Sequence, residues 1–146
     1  MSGLLIPALT VWLAAAIGAD LASVLAERNP ERRARKALDN AALALKAARQ
    51  AYLQGETSAL RSALDEVRES VEVAYRSLKE TGRDPLRHPR PFKDAEIKTR
   101  DLLKRISHLR DEMAYQDREL IEPLLDRVAQ IHEDLLLSVM GKKSRR

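Results

Sequence analysis

The hydrophobic residues of this chain follow two spacings: an unbroken apolar run at the start, and a helical three-and-four alternation in the rest. From Met1 to Ala19 there is no charged side chain. The stretch GLLIPALTVWLAAAIGA gives about 17 residues, roughly 26 Å as a helix, against a hydrocarbon core of about 30 Å. Asp20 interrupts the run and LASVLA continues it to Ala26. Next, Asn29-Pro30-Glu31 reads as a helix start: Asn caps, Pro fits the first helical position, and Glu favours the positive dipole end. This helix is expected to reach about Gln54, with Leu38, Ala42, Leu45, Ala48 and Tyr52 on one face and Gly55 as its stop.

Thr57 is placed to cap the next helix, whose pattern is the cleanest in the chain. Leu60, Leu64, Val67, Val71, Ala74 and Leu78 alternate spacings of four and three, a heptad seam that Gly82 ends. The turn between these two helices is short, which predicts an antiparallel hairpin. Residues 83–93, with three prolines and four bases, read as an extended linker, and Asp94 as the cap after it. Leu102, Ile106, Leu109 and Met113, then Ile121, Leu124, Val128, Ile131 and Leu135, continue one apolar face to about Met140. Pro123 interrupts that face, so the chain either kinks there or turns near Gln116-Asp117. No Gly, Asn or Ser marks a turn, which favours the kink. A kinked helix would overhang the hairpin and expose a seam that needs a partner, so it predicts homo-oligomerisation or a helical protein partner.

The fold class expected is therefore all-α. An apolar N-terminal helix (1–28) precedes the antiparallel hairpin (29–82), the linker (83–93), a long Pro-kinked helix or helix pair (94–141) and a basic tail (142–146). Together they form a three- to four-helix bundle. The N-terminal helix has three readings: a membrane anchor, a buried helix of a soluble bundle, or a cleaved signal peptide. Ala14, Gly18, Ala22 and Ala26 recur every four residues, a small-residue row along which two helices could pack closely in lipid.

Charge distribution adds the basic junctions. Thirteen of the 26 Lys and Arg lie in Arg28–Lys36, Arg83–Lys93 and Lys142–Arg146, beside only two acids, Glu31 and Asp84. The helical bodies are acidic and the junctions basic. Arg28, Arg32, Arg33, Arg35 and Lys36 are the candidate contacts to anionic lipid or other phosphate. No base precedes the apolar run, so a spanning segment would leave residues 27–146 in the cytoplasm. The absence of cysteine excludes disulfides and thiolate metal sites.

Catalytic signals are poor: no glycine-rich phosphate loop, nucleophile elbow or paired zinc-binding histidines occur. No catalytic residue, metal ligand or cofactor is expected. His108 shares a helix face with Asp111 and Glu112, a spacing more often found in ordinary surface positions. Arg127 and His132 form an R-x4-H spacing that resembles the motif of HEPN nucleases. That resemblance covers six residues, and Val128 stands where the family usually carries a polar residue. It implies a metal-free RNase in which His132 moves the proton and Arg127 holds the phosphate.

The leading expectation is a non-enzymatic, membrane-anchored, single-pass interaction or scaffold protein with a cytoplasmic helical domain. The alternative is a cytoplasmic helical bundle binding nucleic acid or another anionic partner. Against nucleic acid stands the lack of aromatic interleaving, since only Phe92 lies in a basic segment.

Overall fold

The computed structural model describes residues 20–142, which form an all-helical bundle with no strand among them. Its elements are α1 (Leu21–Leu25), α2 (Pro30–Leu53), α3 (Thr57–Glu80), α4 (Pro89–Glu112), a 3-10 helix (Tyr115–Leu120) and α5 (Glu122–Val139).

The first hairpin forms much as its sequence predicts. Asn29 caps α2 by accepting from the Arg32 amide at 3.0 Å. Gly55, at φ +71°, makes the left-handed turn that ends it. Thr57 is not the cap of α3; it is that helix's first residue, and Glu56 holds the cap position without a side-chain bond. Every residue of the α3 seam from Leu60 to Leu78 is buried. On α2 the seam is alanine: Ala34, Ala37, Ala41, Ala44, Ala48 and Ala51 alternate spacings of three and four, and all are buried. Short side chains on α2 let the longer Leu and Val of α3 reach in, so the two backbones pack closely along their length.

The second half departs from expectation at two places. The linker is shorter than predicted: α4 starts at Pro89, with His88 and not Asp94 at the cap. First-turn amides have no partner within a helix, so Pro89 and Pro91 remove no hydrogen bond, and Phe92 buries at once. The long kinked helix is also corrected to a pair. Met113 and Ala114 adopt extended backbone, the 3-10 helix follows, and α5 begins at Glu122. Pro123 lies in the first turn of α5, where it is tolerated, and not in a helix interior. The apolar face from Leu102 to Leu135 closes inside one chain, with Leu102, Ile106, Leu109, Met113, Ile121, Leu124, Val128, Ile131 and Leu135 all buried. The exposed seam that required an oligomer is thereby removed.

The two hairpins lie side by side. Ion pairs Arg35–Asp94 (3.6 Å), Asp39–Lys98 and Arg49–Glu112 (2.8 Å) rise in step along α2 and α4, so those helices are parallel neighbours. Arg127–Glu72 and Tyr75–Asp134 place α5 beside α3 in the same way. The α3–α4 connection must therefore cross the end of the bundle diagonally.

Residues 1–19 and 143–146 lie outside the described residues, and with them Ala14, Gly18 and the apolar run. The residues just after that run belong to the bundle. Asp20 caps α1, its amide donates to Asn40 Oδ1 at 2.6 Å, and Val24 is buried in the core. Ala22 and Ala26 are exposed on this short helix. From Asp20 onward the described chain packs on the bundle. Among the described residues no helix is long and apolar enough to cross a membrane.

Candidate interaction surface

Topology brings the basic junctions together. The start of α2, the α3–α4 connection and the end of α5 share one end of the bundle. Arg33 reaches Ser77 Oγ at 2.8 Å and Glu80, Arg83 pairs with Glu31 at 2.7 Å, and Gly141 packs against the Leu86 side chain. Within residues 27–36, 80–94 and 142 this end carries ten Lys and Arg against five Asp and Glu. The opposite end is acidic: residues 49–61 and 110–122 hold four bases against six acids.

The five predicted contact bases are not equivalent. Arg28 is exposed, and no described residue pairs with it. Arg32 and Lys36 both meet Glu27, at 3.7 and 3.1 Å. An amide hydrogen bond from Asn29, then Lys36 and Arg32, hold that carboxyl below its usual range. Arg35 leans on Asp94. Arg33 is turned inwards, with its side chain only 16% exposed, and it also donates to the Glu27 carbonyl at 3.1 Å. It fastens α2 to α3 and is not free for a ligand. Elsewhere on this surface, at the start of α4 and just after α5, Arg90, Lys93 and Lys142 are exposed.

The α3–α4 connection adds an apolar tip. Asp84 Oδ1 accepts from the Leu86 amide at 2.9 Å, and its carbonyl accepts from the amides of Arg87 and His88. This Asx turn holds Leu86 on the outside, 60% exposed. Met140 is 55% exposed next to Gly141, and Leu136 lies one turn below it. Sequence reading missed this pair. Its signal was a lone leucine inside an otherwise basic, Pro-rich segment.

Between α2 and α4, in the interval from Asp39–Lys98 to Arg49–Glu112, lies a groove of about 700 Å³. Buried Leu45 and Leu109 form its floor with half-buried Ala42, and the exposed Leu43, Lys46, Arg105 and His108 line it as well. It exists because the α4-facing position 42 is an alanine, too short to fill the gap. Glu112, held below the usual carboxyl range chiefly by its bond to Arg49, closes one end.

The nuclease spacing does not assemble in one chain. Arg127 faces α3, where it bonds both carboxylate oxygens of Glu72, and this pairing lowers the Glu72 pKa and raises that of Arg127. His132 faces α4 and meets Glu96 Oε1 at 3.0 Å. Five helical positions separate them by about 140° around α5, so they point to different neighbours. His108 likewise gathers no ligand set: Glu112 is held by Arg49, Asp111 by Arg110. Among the described residues no three His, Cys, Asp or Glu cluster as metal ligands.

No protein-family model, curated protein or solved structure matches this chain.

Proposed function

We propose that the chain is a non-enzymatic helical interaction protein that rests its basic end on an anionic membrane surface. The observation that carries this reading is the convergence of two basic junctions, distant in sequence, and of Lys142 at the end of α5, on one end of the bundle. Each Lys or Arg near an anionic headgroup layer contributes about 1 kcal/mol, so a few unpaired bases suffice for weak, reversible recruitment. In this reading the apolar run before Asp20 supplies a second membrane contact, as a single-pass anchor with the bundle on the cytoplasmic side. The groove between α2 and α4 supports the scaffold half of the proposal, since an apolar floor between parallel helices fits the apolar ridge of a partner helix.

Vesicle flotation of the full chain tests the docking. Recruitment is expected to rise with phosphatidylserine content and to fall with salt. Replacing Arg28, Arg90, Lys93 and Lys142 with Glu is expected to remove that dependence. Equal binding to neutral and anionic vesicles would leave the apolar run as the only membrane contact. Salt-sensitive retardation of RNA or DNA without vesicle binding would transfer the basic end to nucleic acid. Because the chain has no native cysteine, a single Cys at Ser2 or Ser144 tests the anchor in intact cells. An impermeant thiol reagent is expected to label position 2 alone.

A further inference from the structure

We infer that Leu86 and Met140 form a small wedge that enters the interfacial layer of an anionic bilayer while the bases around it hold the phosphates. This deepens the docking reading and rests on it, but it is carried by a separate observation. Most of the large apolar side chains of the described chain are inside. Leu86 and Met140 are instead exposed at the basic end, with Leu136 one turn below Met140.

Three features set these residues apart from scattered surface apolars. The first is adjacency: the Leu86 side chain lies against Gly141, where an added Cβ would come within 3.3 Å of it, so the connection meets the end of α5 one residue past Met140. The second is presentation. Pro85 and the Asp84 turn fix Leu86 at the apex of the connection, which limits its freedom to fold back onto the bundle. The third is charge complementarity. Arg83, Arg87, Arg90 and Lys142 lie on the same connection, the start of α4 and the end of α5; Arg83 is paired with Glu31 (2.7 Å) and Arg87 at long range (3.9 Å) with Asp84, while Arg90 and Lys142 are exposed.

An apolar point ringed by bases matches a bilayer, which offers phosphate at the surface and hydrocarbon just beneath it. A nucleic-acid backbone offers the phosphate alone. Asp84 does not oppose docking strongly, because its carboxylate is engaged by the Leu86 amide and by Arg87. Electrostatics brings the end to the surface, and the wedge then gives a bound state that persists when salt screens the charges.

The test uses the full chain with Leu86→Cys carrying an environment-sensitive fluorophore, mixed with vesicles of phosphatidylcholine and phosphatidylserine. The emission is expected to shift to the blue, and lipids brominated near the headgroup are expected to quench it. In a second arm, Leu86→Ser with Met140→Ser is expected to keep low-salt recruitment but to lose about tenfold in affinity at high salt per residue replaced. Both side chains are exposed, so the melting curve of this variant should match the parent. It also carries the same apolar start, so the difference isolates the tip. A probe at position 86 that stays in water while the chain still floats with anionic vesicles would overturn the wedge and leave the docking intact. A chain that does not float with them at all would overturn both.

Discussion

The two hairpins of this bundle reach the same shape by opposite means. In α2/α3 a row of six alanines meets a row of Leu and Val, and three residues around Gly55 close the turn. In α4/α5 both partners contribute large side chains, such as Ile106, Leu109, Leu124 and Ile131, and nine residues close the turn. The first hairpin is limited by space and the second by filling. Close packing from small side chains cannot absorb added volume, whereas packing from large ones cannot lose it.

That contrast predicts mirror-image sensitivities. Ile131→Ala removes a fully buried side chain from the second hairpin and is expected to lower stability by about 2–5 kcal/mol in urea unfolding. The matching change in the first hairpin is an insertion, Ala41→Leu, at a position with no exposed surface. It is expected to lose about 1–3 kcal/mol, and Ala41→Gly only about 1. If Ala41→Leu were neutral, the alanine row would not be setting the helix separation, and the comparison would collapse.

The turns sharpen it further. The second turn has no glycine and is held from a distance. The Tyr52 hydroxyl, on α2, accepts from the Ala114 amide at 2.8 Å and donates to Asp117 at 3.2 Å, while Arg118 donates to the Met113 carbonyl at 3.2 Å. Tyr52→Phe should cost about 1 kcal/mol, with faster amide exchange at Ala114 and its neighbours while the Gly55 turn is unaffected. Gly55→Ala, forced to φ +71°, should cost about 1 kcal/mol, with the exchange pattern reversed.

The smallest effect belongs to the seam between hairpins. Arg127 holds the Glu72 carboxyl below its usual value. A carboxyl lowered in the folded state adds stability that is full above its unfolded value, near pH 4.5, and is lost as pH falls through the folded one. Arg127→Gln is expected to remove about 0.5 kcal/mol at neutral pH and to flatten the acid side of the stability curve. An unchanged acid limb would show that the pair does not couple the hairpins.

The difference between the hairpins also explains what could be read in advance. Gly55 and the α3 heptads are local signals, so the first hairpin was legible, as was the Asn29 cap. The second turn was not, because its determinant is Tyr52, 62 residues before Ala114. The α2 seam was only half legible. Of the stripe Leu38, Ala42, Leu45, Ala48 and Tyr52, Leu38, Leu45 and Ala48 are buried, but the alanine row beside it, which shares Ala48, did not stand out among alanines on several faces of that helix. The basic segments were visible singly, but their meeting needed the topology. Nothing local told that Arg33 would turn inwards, since the Ser77 and Glu80 it binds lie on the next helix.

The diagonal connection makes the chain divisible. Each hairpin closes on its own turn, and the residues between α3 and α4 join the two as a tether, about 16 Å long on average if it were slack. Cutting it, for instance with trypsin at Arg83 or Arg87, would turn one folding unit into two pieces that must find each other. The tether supplies an effective concentration in the millimolar range. Hairpins produced as separate polypeptides would therefore reassemble only above a threshold concentration, and that threshold would measure how much of the bundle's cohesion belongs to the α2–α4 and α3–α5 seams alone.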